Sequence, residues 1–201
     1  MKRAAVAGFA AGVAMMIGGA LGAVSGSDPA PKALLDTGVM NPMIDGQAML
    51  ADRDIADNLA ASPLHTKLAS ELTETGVASA LRSNGQFTVF APTKAAFTSA
   101  GKMGQGQMAR RISYMIVPGS YDSTTLLRMI NENGGELRLR TAEGGTLLAH
   151  MNGPTNIQIQ DEKGNRANIA IYDIHDSNGV IHVVDRLLQP GAPSSQVASA
   201  N

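Results

Sequence analysis

The chain has 201 residues, no cysteine, no tryptophan and four phenylalanines, with 16 Lys+Arg against 17 Asp+Glu for a net charge of −1. That length suits one ordinary domain with short flanking segments. The lack of cysteine excludes a disulfide scaffold, and the balanced charge excludes the strongly basic surface of a nucleic-acid binder.

Met1–Val24 has the three-part build of a secretory signal. Lys2 and Arg3 start it, an uncharged run extends from Ala4 to Val24, and Ala20-x-Gly22 and Ala23-x-Ser25 offer small-residue cleavage sites. Residues 1–25 are therefore expected to be a signal peptide. An uncleaved N-terminal anchor is the alternative, because the run approaches the ~20 residues of a spanning helix. Without Lys2 and Arg3 the balance becomes 14 against 17. No cysteine ends the segment as a bacterial lipoprotein would need, so a periplasmic or secreted bacterial protein is expected. Residues 26–46, rich in Ser, Pro, Gly and Asp, read as a linker, and 191–201 (GAPSSQVASAN) as a disordered tail. Residues 47–190 carry no internal repeat and form one domain.

The first half of that domain reads as helical. Ser62 can cap a helix that has Pro63 at its first position and Leu64, Leu68 and Leu72 on one face; Gly76 ends it. Val77–Leu81 adds a short turn. Gln107–Met115 is a helix with Met108, Ile112 and Met115 inward, stopped by Pro118-Gly119. Ser123 caps a further helix that turns Leu126, Leu127 and Ile130 to the core and closes at Gly134-Gly135.

Strands dominate the second half. Glu136–Thr141 alternates Leu137 and Leu139 with Arg138 and Arg140, and Gly144-Gly145 turns the chain into Thr146–Met151. Asn156–Gln160 places Ile157 and Ile159 on one face. Arg166–Asp173 follows, and Val180–Val184, apolar on both faces except for His182, reads as a central strand. Helices first and strands later predict an α+β fold.

Two segments stand out. Phe87–Phe97 (FTVFAPTKAAF) holds every phenylalanine beyond the N-terminal segment: Phe87, Phe90 and Phe97. It predicts a short core strand broken at Pro92, then a helix capped by Thr93, with the aromatics as anchors. Asn178–Pro190 (NGVIHVVDRLLQP) predicts a turn at Asn178-Gly179, then the central strand. His182 shares a face with Val180 and Val184, where a buried histidine needs hydrogen-bond partners. Asp185 and Arg186 close the strand with local polar contacts.

These segments resemble the two conserved boxes of the fasciclin domain family, and Tyr114–Tyr121 (YMIVPGSY) resembles the family's tyrosine–histidine segment, with Met115 where the histidine usually stands. The resemblance runs from about Asp45 to Pro190. It implies a fasciclin-like fold, a helical layer packed on a compact β wedge. It also implies a non-enzymatic, extracytoplasmic adhesion or interaction module whose partner is an envelope or extracellular protein or a surface polysaccharide. In animal members an Asp-Ile pair before the second box and the tyrosine–histidine segment are tied to integrin binding; the matching positions are Asp173-Ile174 and Tyr114-Met115. The candidate partner-binding residues are thus Tyr114, Met115, Tyr121, Tyr172, Asp173, Ile174 and His175. Some algal members bind carotenoids, so a carrier of an apolar small molecule, a carotenoid or a lipid, is the alternative.

His65, His150, His175 and His182 match no metal-ligand spacing, and no GxSxG, HExxH or Walker pattern occurs. No catalytic residue, cofactor or metal is expected, and no nucleic-acid partner. Membrane contact is expected only if the N-terminal segment stays uncleaved. Arg110-Arg111 and Arg138/Arg140 read as solvated faces, and His175 and Asp176 as surface turn residues.

Overall fold

The computed structural model describes residues 41–98 and 104–192. The expected signal peptide, most of the linker and nearly all of the expected tail lie outside these residues.

Residues 41–46, read as the end of a linker, belong to the folded body. Strands β1 (Met43–Ile44) and β2 (Gln47–Ala48) form a hairpin through Asp45 and Gly46. Both turn residues have positive φ, 48° and 77°, as a tight hairpin turn demands. Ile44 enters the core at 1% exposure. Asn41 anchors the lead-in, donating to the His175 carbonyl at 2.6 Å and accepting from its N–H at 2.8 Å.

A helical layer follows. Helix α1 (Ile55–Ala61) is capped by Asp54, whose carboxylate accepts from the Asp57 N–H at 2.7 Å. A 3-10 turn, Pro63–His65, leads into α2 (Thr66–Glu74), and α3 (Val77–Leu81) starts after Gly76, at φ 76°. Leu59, Leu68, Leu72 and Leu81 are the buried stripe. Ser62 does not cap. Its hydroxyl instead meets Nδ1 of His65 at 2.8 Å, because the chain enters through a 3-10 turn that buries His65 completely.

The strands are β3 (Phe87–Pro92), β4 (Ile116–Pro118), β5 (Glu136–Arg140), β6 (Thr146–Met151), β7 (Ile157–Gln160), β8 (Arg166–Asp176) and β9 (Gly179–Val184). Helices α4 (Lys94–Thr98), α5 (Gln105–Tyr114) and α6 (Ser123–Glu132) lie among them. The sheet order is β4-β3-β9-β8-β7-β6-β5. β3 and β9 run parallel and the other neighbours antiparallel. The two sheet edges meet where the Ala142 N–H donates to the Ile116 carbonyl at 2.7 Å, so the sheet curls almost closed. This is the expected α+β architecture.

The two motif segments are neighbours: Phe90 sits opposite His182, and Phe87 opposite Gly179. Phe90 is fully buried and Phe97 nearly so, while Phe87 is partly exposed. Pro92 does not break β3 but ends it, still paired with Val184. Thr93 caps α4 as expected, its hydroxyl accepting from the Ala96 N–H at 3.3 Å. After α5 the chain forms β4 rather than stopping at Pro118-Gly119; three residues are too few to carry a strand period. Asp122, not Ser123, caps α6, accepting from the Thr125 N–H at 2.7 Å. Asp122→Ala should cost about 1 kcal/mol in urea unfolding; an unchanged midpoint would show that another group holds the helix start.

Candidate functional site

The second box organises the site around His182. Its ring is fully buried, with Nε2 2.8 Å from the Tyr121 carbonyl and Nδ1 3.3 Å from the Asp173 N–H. A carbonyl only accepts and an amide N–H only donates, so one neutral tautomer, protonated at Nε2, satisfies both partners. Burial lowers the pKa of the ring, although the Tyr121 carbonyl and the Asp173 and Asp122 carboxylates favour the charged form. An Asp173 carboxylate oxygen stands 4.0 Å from Nδ1, but that nitrogen already accepts an N–H, and burial prevails. Phe90 stacks on the ring at 5.7 Å, and Tyr172 meets it edge-on at 6.0 Å. His182 is the satisfied core histidine its position predicts.

The segment beside it is irregular. β8 carries register shifts between Ile169 and Ile171 and between Ile171 and Ile174. Within the second, Asp173 adopts φ 56°, rare for a residue other than glycine. Its carboxylate compensates by accepting from the Ser123 N–H at 2.7 Å and from the Ser123 hydroxyl. Asp122 and Asp173 therefore both face the positive end of α6, where carboxylates are stabilised. The Thr125 backbone N–H and hydroxyl hold the Asp122 pKa below its ordinary value. The Tyr172 phenol donates to Asn156 Oδ1 and accepts from the Ile157 N–H, both at 2.7 Å. Burial raises its pKa.

Of the seven candidate contact residues, Tyr121, Tyr172, Asp173 and His175 are partly exposed and lie around His182. The other three are corrections. Tyr114 is fully buried, its hydroxyl donating to the Thr146 carbonyl at 2.7 Å and accepting from the Glu162 N–H at 3.0 Å. Burial drives its pKa upward. Met115 ends α5 pointing into the core, and Ile174 faces inward from β8; both are essentially inaccessible to a partner.

Other residues gain roles the sequence did not disclose. Asn178, read as a turn residue, accepts from the Ile55 N–H at 2.9 Å and donates to the Leu81 carbonyl at 2.7 Å, tying two helices to β9. Arg138 and Arg140 line a groove of about 490 Å³ with Val117, Tyr121, Met129 and Leu139. Their shared face was legible from the strand alternation; the groove was not, because its other wall is β4. Arg111, read as solvated, is half-buried. Asp176 is no surface turn residue: one carboxylate oxygen accepts from Asn58 Nδ2, and the other is buried without a partner among the described residues. Asp185 closes β9 through the neighbouring strand rather than by the expected local contacts, accepting from the backbone and side chain of Asn168 on β8 at 2.8 and 2.9 Å. Among the described residues no three His, Asp or Glu side chains gather as metal ligands, and no helix is long and apolar enough to cross a membrane.

The Fasciclin domain model matches residues 63–190, and the chain belongs to the fasciclin domain family. Two Synechocystis proteins are similar to it. One, named Protein sll1483, is 23% identical over 160 residues, covering 79% of this chain and 85% of that protein. The other, the uncharacterized protein sll1735, is 28% identical over 137 residues, covering 62% and 88%. Among solved structures, the FAS1 domain pair of the insect cell adhesion molecule Fasciclin I matches with TM-score 0.57 at 15% identity. That match covers 68% of this chain and 50% of the insect chain, so the protein spans about half the length of the pair and shares its fold. The family is generally non-enzymatic and occurs in adhesion-type proteins.

Proposed function

We propose that this protein is a non-enzymatic, extracytoplasmic interaction module, exported by the N-terminal segment, that binds a protein or surface polysaccharide of the bacterial envelope. The contact surface is the ridge of Tyr172, Asp173 and His175 together with Tyr121 and the adjoining Arg138/Arg140 groove. One observation supports this reading: partly exposed aromatic and charged side chains are gathered on a backbone that His182, Ser123 and Asn41 anchor. Rigid aromatic and arginine side chains supply much of the energy at binding surfaces, because little of their freedom remains to be lost.

The test uses the full chain purified from its host, immobilised and exposed separately to envelope protein and envelope polysaccharide. The Arg138→Glu/Arg140→Glu pair, at exposed positions, should reduce retention of the bound fraction at least tenfold with the thermal midpoint unchanged. Equal retention by wild type and variant, or no retention from either fraction, would overturn the proposal.

A further inference from the structure

A second pocket shares no lining residue with that groove. It has a volume of about 210 Å³ and is lined by Gln107, Arg110, Arg111, Lys163, Pro190 and Gly191. Gln107 and Arg111 are one helical turn apart on α5 and so share a face. Lys163 comes from the β7–β8 turn, and Pro190-Gly191 from the chain after β9.

Three cations meet here, and the carboxylates of Glu143, Asp161 and Glu162 beside them already accept hydrogen bonds. Glu143 is taken by Arg110 at 2.6 Å. The Asp161 oxygens accept from the backbone of Lys163, Asn165 and Gln189 and from the Asn165 amide. Those of Glu162 accept from the N–H groups of Thr146 and Gly191. Among the described residues Lys163 Nζ reaches only the neutral Gln189 amide, at 3.2 Å. Arg111 Nη1 is buried with no hydrogen-bond partner among the described residues. A buried guanidinium nitrogen without an acceptor is costly, and burial accordingly lowers the Arg111 pKa, opposed only by the field of Asp161. The Arg111 guanidinium, with its orphaned donor, and the Lys163 ammonium thus line a space large enough for one oxyanion.

We infer that this pocket binds a sulfate or phosphate group through Arg111 and Lys163, with the Gln107 amide as a further donor. Both anions offer several acceptor oxygens to a guanidinium fork and an ammonium. The group is either a free ion or a substituent on a polymer, and the two sources share this chemistry.

The test titrates the full chain with sodium sulfate and with sodium phosphate against sodium chloride at equal ionic strength, following backbone amide NMR shifts and the thermal midpoint. Saturable shifts centred on Gln107, Arg111, Lys163 and Gly191 are expected in the low millimolar range. Lys163→Glu, at an exposed position, should weaken them at least tenfold. Arg111→Met should abolish them, and refolding of that variant is checked by its amide spectrum. A parallel arm compares dextran sulfate with neutral dextran. Tighter binding of the sulfated polymer than of free sulfate identifies a polymer-borne group, whereas equal binding per sulfate identifies the free ion. Sulfate also stabilises proteins generally by exclusion from their surface. A non-saturating rise that is equal in wild type and Lys163→Glu, or shifts mapping elsewhere, would overturn the assignment.

Discussion

Gly179→Ala is expected to abolish folding. A Cβ on Gly179 would stand 1.9 Å from the Phe87 carbonyl oxygen and 2.8 Å from the Phe87 carbonyl carbon and amide nitrogen. All three are backbone atoms in the paired strand, so no side chain can swing aside. The residue also sits at φ 148°, which non-glycine residues rarely adopt. Relief would require β3 and β9 to part where the Phe87 N–H donates to the Asn178 carbonyl at 3.0 Å. That movement would drag Asn178 from its bonds to Ile55 and Leu81. A cost above about 4 kcal/mol is exceptional for one substitution, yet it approaches the whole stability of a typical domain, ~5–15 kcal/mol. Gly153→Ala supplies the comparison. Its φ is 80°, but nothing lies within 4 Å of the added carbon; it should lose only about 1–2 kcal/mol. Circular dichroism and urea unfolding of both variants decide the matter. A folded Gly179→Ala protein with a near-native midpoint would refute the close-approach argument.

The second large effect is a pair of opposed proton linkages. His65 is fully buried, its Nε2 has no partner among the described residues, and burial lowers its pKa from 6.5 to about 4. The unfolded chain therefore takes up this proton first as the pH falls. The histidine's contribution is intact above about pH 6.5 and is lost progressively toward pH 4, by about 3 kcal/mol. His182, also lowered by burial, acts in the same direction. Asp176 acts oppositely. Burial raises its pKa from 3.8 to about 7, so its folded form prefers the proton and its penalty grows as the pH rises from about 4 to about 7. In the wild type, acid thus relieves one strain while it creates another. Asp176→Asn removes the relief. At pH 7.5 this variant should be more stable than wild type by about 1–2 kcal/mol, a gain limited by the amide group it leaves unsatisfied. At pH 4 the two should be nearly equal, and the variant should show the steeper acid loss. Urea midpoints from pH 4 to 8 provide the measurement. Parallel curves for the two proteins would remove Asp176 from this balance, and an acid slope unchanged in His65→Gln would remove His65.

Local pattern revealed most of the sheet. Thr146–Met151 matches β6 end for end. Leu137, Leu139, Ile157 and Ile159 all face inward as their alternation requires. The hydrogen bonds that His182 needs were deducible from one polar residue in an apolar run, although not which atoms would supply them. The candidate site was less legible, because long-range contacts shape it. Tyr114, Met115 and Ile174 matched contact positions by resemblance, yet α5, β6 and the bend of β8 bury them. Aspartate tolerates a left-handed turn better than most residues, but no local pattern places one at Asp173; its support comes from Ser123, fifty positions earlier. The Arg138/Arg140 groove exists only because β4 curls round to meet β5. Arg111 lies in a basic pair whose meaning depends on where Pro190 and Gly191 return.

The place of β9 bears on how the chain reaches this fold. It is the last strand among the described residues, yet it lies inside the sheet between β3 and β8. Before it docks, the β3–β4 pair and the β5–β8 meander share no strand neighbour, and their edges meet at the bond between Ala142 and Ile116. A ribosome must therefore release nearly the whole domain before its centre can form. Pairing residues some ninety positions apart carries a large loop-closure entropy and makes folding slow. The β5–β8 meander pairs only sequence neighbours, so the late step is the docking of β9, which joins it to β3.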